Sequence, residues 1–196
     1  GKGAERTLEL IKALHLPDLM IHKIPSGAKV FDWEIPEEWH VKSAYIICPN
    51  GQKICDLNVN NLHLVGYSIS VDKVLPLSEL QNFLHSLPDQ PSAIPYVTSY
   101  YNRTWGFCIS HNQRLGLEPG DYHVFIDSTH FNGNLTYGEL LIRGKSKKEV
   151  FLSTYICHPS MANNELSGIC VTTYISKFIE QFKNRRYSYR IVFIPE

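Results

Sequence analysis

The sequence predicts an α/β protein in which a β-rich module interrupts a mixed sheet. Residues 119–196 follow the order strand, strand, strand, helix, strand, which is the pattern of an α/β layer. An amphipathic helix is predicted at the start, whereas hairpin signals cluster in residues 41–110. We therefore expect a helix and lead-in over residues 1–40, an inserted β-rich module over 41–110, and an α/β domain over 111–196.

Composition limits the class of protein. The chain has 196 residues with 43% hydrophobic and 12% aromatic content, enough to bury a core. Basic and acidic residues number 19 each, so no basic field favours nucleic acid or an anionic membrane. The apolar runs have strand length, and the start lacks the apolar core of a signal peptide. Five cysteines without close pairing indicate reduced thiols, so we expect a soluble, cytoplasmic protein.

The first half of the chain contains two helix signals on either side of the hairpin signals. In "AERTLELIKALHL", Leu8, Ile11 and Leu14 share one helical face that we expect to pack on the main sheet, and Pro17 closes the segment. "PNGQ" is the clearest tight turn of the predicted module. In "PLSELQNFLHSL", Ser78 is the expected N-cap of a short helix.

The second half carries the α/β pattern. "DYHVFIDS" and "GNLTYGELLIRG" alternate as paired strands do, and "KEVFLSTYIC" is an apolar run suited to a central strand. A helix is expected to begin near Ser167, before a final strand "YRIVFIPE". Its apolar residues define the side that we expect to be buried: Val171, Tyr174, Ile175, Phe178, Ile179 and Phe182.

Polar residues follow two of these strands. The stretch "YICHPSMANNELSG" places His158 after one strand, and Glu196 follows the last. Ligands of open α/β sheets bind beyond the carboxyl ends of the strands, so the two side chains are expected to meet. A histidine with nearby oxygen donors suits zinc, and a glutamate can serve as general base toward metal-bound water.

These motifs resemble the co-catalytic zinc aminopeptidases of metallopeptidase family 28. The corresponding segments are "HPS" at 158–160, "NELSG" at 164–168 and "FIPE" at 193–196. "WGFC", "YHVFIDS", "CHPSMAN", "LSG" and "FIPE" resemble more closely a group of bacterial aminopeptidase-like proteins with an inserted domain of unknown function. The likeness covers essentially the whole chain. It implies a partial zinc-exopeptidase-like mixed-sheet fold, with residues 111–196 as the N-terminal half of the aminopeptidase-like domain, truncated at the catalytic strand.

The resemblance also implies roles for individual residues. His158 matches a zinc ligand, Asn164 stands where a metal-bridging aspartate is usual, and Glu196 matches the general base. Ser160 replaces the aspartate that orients the zinc histidine, which predicts a weak site for one or two zinc ions, while Glu165 is a compensating oxygen ligand. Further ligands of the family lie beyond the catalytic strand, so we expect a fragment with weak zinc binding and no measurable aminopeptidase activity.

Each of these residues also has a structural interpretation. His158 could hydrogen-bond to backbone, Glu196 could be a solvated carboxylate, and Ser167 is expected to cap or pack rather than attack. Cys157 is expected to be a buried, inert thiol, because neighbours on a strand point to opposite faces.

The sequence is compatible with two functions. The first is a zinc-dependent aminopeptidase-like hydrolase of peptide or related amide bonds. The alternative is a non-catalytic peptidase-fold protein that binds a small peptide, amino sugar or protein partner.

Overall fold

The structure is a computed structural model that describes residues 1–158 and 161–195. The chain forms two compact units, one made of residues 1–38 with 132–196 and the other of residues 39–131. The sequence-based domain boundaries at 41 and 110 stay predictions. Within the described ranges, none of the helices combines the length and apolar character needed to cross a lipid bilayer.

Helices and strands are numbered here in chain order. The helices are α1 (Lys2–Leu14), α2 (Leu77–Leu80), α3 (His111–Leu115) and α4 (Ser167–Glu180). The strands are β1 (Met20–Pro25), β2 (Lys29–Val30), β3 (Trp33–Glu34), β4 (Glu38–Ile47), β5 (Lys53–Ile54), β6 (Val71–Pro76), β7 (Leu84–His85), β8 (Phe107–Cys108), β9 (Asp121–Phe131), β10 (Asn134–Ile142), β11 (Glu149–Tyr155) and β12 (Ser188–Ile194).

The first unit contains a mixed four-stranded sheet in the order β1-β10-β12-β11. Strand β10 pairs antiparallel with β1 and with β12, whereas β11 and β12 run parallel, with Leu152 opposite Ile191. The parallel pair is joined through α4, as a crossover between parallel strands requires. This sheet and its helices confirm the predicted mixed α/β class.

Helix α1 packs on this sheet, as its sequence predicts. Leu8 and Ile11 are buried in one cluster with Leu140 of β10 and Ile191 of β12. A Cβ atom added at Gly138 of β10 would lie 2.6 Å from a methyl group of Leu8, so glycine permits the close approach of helix and strand. The prediction that the first helix packs on the main sheet is confirmed for Leu8 and Ile11, whereas Leu14, at the last position of the helix, is 67% exposed.

The second unit contains a four-stranded sheet in the order β5-β4-β9-β6. The tight turn predicted at "PNGQ" connects β4 to β5, and Gly51 adopts a φ of 82°, which favours glycine. Apolar side chains on this sheet, including Ile46, Tyr122 and Val124, form one core with Phe107 of β8. The unit therefore has a hydrophobic core of its own.

Strand partners differ from the prediction at two places. The expectation that residues 119–131 belong to the C-terminal sheet is wrong, because β9 pairs antiparallel with β6, with Ile126 opposite Val71. Strand β11 was predicted to be central, but among the described strands it lies at the end of its sheet, and β10 and β12 are the two inner strands. Alternation and apolar runs identify a strand but not its partner.

Helical details also differ from the sequence-based expectations. Ser78 does not cap α2, because that helix begins at Leu77 with Pro76 at its N-cap. Helix α4 begins at Ser167 as predicted, yet its buried residues are Ile169, Thr173 and Ser176. Most of the apolar side chains predicted to be buried are exposed, namely Val171, Tyr174, Ile175, Phe178 and Phe182. Periodicity locates an apolar face correctly without showing what the face contacts.

Candidate functional site

The candidate site lies at the carboxyl end of β11. The main chain continues along the sheet for one residue after Tyr155, since the Ile156 amide donates to the Ile194 carbonyl at 2.8 Å. Cys157 and His158 then leave the sheet, and the His158 residue is half-buried. Ser160 and Glu196, both singled out from the sequence, lie outside the described residues.

Glu165 is the buried acid of this site. It belongs to a single π-helical turn, Ala162–Leu166, that directly precedes α4, and it is 5% exposed. Its Oε1 atom accepts hydrogen bonds from the backbone amides of Cys157 at 2.5 Å and of His158 at 2.6 Å. Its Oε2 atom is buried without a hydrogen-bond partner among the described residues. One carboxylate oxygen of Glu165 therefore binds the backbone of residues 157–158, from which the His158 side chain extends.

The start of α4 lies close to β11. Gly168 brings the helix near the strand, since an added Cβ atom would lie 2.5 Å from the Thr154 hydroxyl. Ser167 donates its hydroxyl to the Asn163 carbonyl at 2.6 Å, which gives it a structural role within the turn. Asn164, the predicted metal ligand, is exposed on the same turn. The π-helical turn thus carries Asn164 beside Glu165, and Glu165 contacts the backbone amide of His158.

A cavity of about 490 Å³ adjoins this turn. Its walls come from three segments of the first unit, namely residues 3–7 of α1, residues 156–158 after β11, and residues 161–169 around the π-helical turn. His158 and Glu165 contribute polar groups, whereas Ile156 and Ile169 are apolar. A largely apolar cavity with a few polar groups is the usual form of a small-molecule site.

The side chains near this cavity include donor atoms that suit zinc, but fewer of them than a complete zinc site requires. His158 offers an imidazole nitrogen and Glu165 an unpartnered carboxylate oxygen, Oε2, both of which zinc accepts. Asn164 adds a neutral amide oxygen, which is a weaker ligand than a carboxylate. Across residues 1–158 and 161–195, however, no three His, Cys, Asp or Glu side chains converge as a metal cluster. The described residues therefore fit part of a zinc site.

Cys157 differs from its expected environment. Strand β11 ends at Tyr155, so Cys157 lies in the loop, where the alternation of strand faces no longer applies. The residue is exposed, and the prediction of a buried thiol is wrong. Its backbone amide, rather than its thiol, makes the hydrogen bond to Glu165.

Sequence reasoning missed a line of charged residues across the sheet. Arg190 on β12 binds Glu149 of β11 through two hydrogen bonds of 2.7 and 2.8 Å and also binds Glu139 of β10. The second Glu139 oxygen lies 3.1 Å from the Nε2 atom of His22 on β1. Nothing in the sequence spacing of His22 reveals this contact, because the contact depends on strand register.

Solved structures of low sequence identity share this fold. A peptidase M28 precursor from Shewanella amazonensis gives a TM-score of 0.61 at 10% identity, over 98% of this chain and 57% of that chain. BSAP, a zinc aminopeptidase from Bacillus subtilis, gives 0.59 at 11% identity, over 97% of this chain and 54% of that chain. The fold is therefore that of the aminopeptidase-like α/β proteins, as the motifs predicted.

The family follows from a match over the whole chain. The family model described as a domain of unknown function, DUF4910, matches residues 1–196, and the chain belongs to this family. A Clostridium acetobutylicum protein named for polysaccharide biosynthesis and an aminopeptidase-like domain is 46% identical over all of this chain and 44% of its own length. A crystal structure from that species, named as a candidate peptidase, gives a TM-score of 0.92 at 45% identity, over 100% of this chain and 46% of that chain. The chain spans less than half the length of these two relatives.

Proposed function

We propose that the protein contributes part of the active site of a zinc-dependent aminopeptidase-like hydrolase, acting on peptide or related amide bonds. The observation that carries the proposal is the turn after β11, where the buried carboxylate of Glu165 binds the backbone of the predicted zinc ligand His158. A metal-binding histidine beside a cavity at a strand end is a suitable arrangement for such chemistry.

Four residues are assigned roles in this proposal. The ring of His158, the amide oxygen of Asn164 and the Oε2 atom of Glu165 would hold one or two zinc ions. When bound, zinc would supply Lewis-acid polarisation of the scissile carbonyl and a lower pKa for the attacking water. Glu196 would accept a proton from that water through a carboxylate oxygen.

The cavity supports a small substrate group beside these residues. Ile156 and Ile169 exclude water from part of its wall, and an apolar wall favours an aliphatic or aromatic side chain. The neutral net charge of the chain is compatible with a peptide or neutral amide substrate. The name of the Clostridium acetobutylicum relative adds a sugar-linked amide to the substrates worth testing.

Metal binding is the direct test of this proposal. Calorimetric zinc titration of the protein should show weak binding that His158→Ala removes, whereas the exposed His40→Ala serves as the matched control and should leave it unchanged. Weak binding is expected because the site has lost a bridging charge at Asn164 and an orienting carboxylate at Ser160, a loss of about 10- to 100-fold by analogy with other sites. Zinc binding unaffected by His158→Ala would contradict the proposal.

Hydrolysis is tested separately with aminoacyl-anilide substrates. The protein is expected to show no measurable cleavage, and a longer chain with further ligands should cleave them. In such a chain, Glu196→Gln should abolish turnover while leaving zinc affinity nearly unchanged, because a general base does not hold the metal. Full activity of the Gln variant would remove Glu196 from the mechanism.

The alternative is a non-catalytic peptidase-fold protein that binds a small peptide, an amino sugar or a protein partner. One observation favours it: this chain has the neutral Asn164 and Ser160 at two positions where the resemblance implies aspartate. Under this alternative, neither metal nor Glu196 would affect ligand binding. Calorimetry with dipeptides and amino sugars, performed with and without zinc, distinguishes the two functions.

A further inference from the structure

We propose that Glu165 is a positioning residue, whose carboxylate fixes the backbone turn at Cys157 and His158 and thereby the placement of the His158 ring. The expected effect on zinc binding rests on the proposed function. The hydrogen bonds of Glu165 are observed in the structure and do not depend on that function.

The contacts to Glu165 are unusual for a surface loop. A single oxygen, Oε1, accepts two successive backbone amides at 2.5 and 2.6 Å. Bonds from N–H groups to a charged acceptor are shorter and stronger than neutral ones. Glu165 as a residue is 5% exposed, so little water competes for these amides. The turn is therefore held by a strong and shielded contact.

The local helix geometry explains how Glu165 reaches the strand end. The π-helical turn Ala162–Leu166 places the side chain of Glu165 under residues 157–158, before α4 continues from Ser167. The Leu166 amide donates to the Met161 carbonyl at 3.1 Å, which is the i to i−5 bond of a π-helix. Such single π-helical turns occur frequently at functional sites.

The hydrogen bonds to Glu165 restrict the backbone of His158. A metal-binding histidine loses affinity when the groups that orient it are removed. Here two consecutive amides, one of them that of His158 itself, are fixed by the same acid, so the backbone from which the imidazole extends has little freedom. Glu165 would then affect zinc affinity even if its Oε2 atom never contacts the metal.

Amide hydrogen exchange of the metal-free protein, followed by NMR, tests the contact directly. In Glu165→Ala, the amides of Cys157 and His158 should exchange at least about tenfold faster, because bonds to a charged acceptor are lost. In Glu165→Gln, the carbonyl oxygen can still accept both amides, so a smaller increase of about threefold is expected. The Ile156 amide, which donates to Ile194, provides the internal control.

Two further comparisons make the exchange result decisive. Glu180→Gln on the same helix should leave all three amides unchanged, since no contact joins Glu180 to the turn in the hydrogen bonds of the described residues. If Glu165→Ala does not fold, Glu165→Gln decides, because faster exchange confined to Cys157 and His158 supports the proposal. Unchanged exchange at both amides in a folded variant overturns it.

Zinc titration of the same variants links the turn to the metal. We expect Glu165→Ala to lower zinc affinity by about 10- to 100-fold and Glu165→Gln to lower it less. Lower affinity with unchanged amide exchange would make Glu165 a ligand alone and overturn the positioning role. Faster exchange with unchanged affinity would also overturn it. If the wild type binds no zinc, the proposed metal function fails, while amide exchange still decides whether Glu165 fixes the turn.

Discussion

The two compact units differ in how completely they bury their apolar residues. In the unit of residues 39–131, large side chains such as Phe107 and Tyr122 are almost fully buried in one core. In the unit of residues 1–38 with 132–196, α4 exposes 61% of Tyr174 and 58% of Phe178, while Phe151 of β11 is 60% exposed. The first unit therefore displays apolar surface that its sequence pattern assigned to a core.

The comparison shows that an apolar pattern and a filled core are separate properties. Helix α4 buries Thr173 and Ser176 against its own unit, so its more apolar side remains accessible in the described structure. All-parallel sheets normally have both faces covered, and β11 and β12 of this mixed sheet run parallel. The first unit therefore has an apolar helix face that is largely exposed, whereas the exposed apolar residues of the second unit include Val59, Val74 and Leu115, none of which lies on a long helix.

Thiol reactivity should separate the units most strongly. Burial raises the pKa of Cys55 and of Cys108 to about 12, so neither forms thiolate at pH 8, whereas Cys170 on α4 is exposed. Alkylation of Cys170 should be about a thousandfold faster or more, because the buried thiols react only after opening of the core. Mass spectrometry after timed alkylation measures the rates. Equal rates for Cys108 and Cys170 would contradict the closed core of the second unit.

Truncation of matched aromatic side chains should show the same contrast in stability. Phe107→Ala is expected to lower the free energy of unfolding by about 3–5 kcal/mol, since it opens a cavity in a fully buried core. Phe178→Ala should change it by no more than about 0.5 kcal/mol, because its ring is mostly exposed. Urea unfolding measures both. A large loss on Phe178→Ala would show that the exposed face of α4 is packed in solution.

Substitutions at two glycines, Gly144 and Gly3, test how tightly the first unit is packed outside α4. A Cβ atom at Gly144 would overlap the backbone carbonyl of Tyr187, so Gly144→Ala should cost about 1–3 kcal/mol. Gly3 of α1 has open space around its missing Cβ atom, and Gly3→Ala should stabilise the protein by about 0.4–1 kcal/mol. Thermal unfolding compares them. A neutral Gly144→Ala would mean that the chain near β12 is looser than the structure indicates.

The smallest effect is expected from an ion pair in the second unit. The hydrogen bond from Lys53, followed by that from the Asn58 amide, lowers the pKa of Asp56. The lowered pKa stabilises the fold above the unfolded pKa, near 3.8, and this contribution is lost as pH falls through the lower folded pKa.

Asp56→Asn should therefore reduce the melting temperature slightly at pH 7 and converge with the wild type in acid. Asp127→Asn, which removes a carboxylate 4.0 Å from Lys42, is the control and should change the melting temperature less at pH 7. Melting curves between pH 2 and pH 7 would measure the difference. A gap that widens toward low pH would contradict the sign.

The sequence by itself determined the elements that depend on local pattern. The spacing of Leu8 and Ile11 identified α1 and its buried face, and the start of α4 at Ser167 was predicted directly. The turn at Gly51 followed from its tight-turn residues. The motif around His158 led to the aminopeptidase-like fold through its resemblance to a known family.

Only the tertiary structure decided the contacts between distant segments. The pairing of β9 with β6 and the inner position of β12 depend on which strands meet, and each strand's alternation fits several partners. The link from Glu165 to the amides of Cys157 and His158 depends on a π-helical turn. Sequence periodicity shows which residues favour burial, but three-dimensional packing determines whether they are buried and which groups receive their hydrogen bonds.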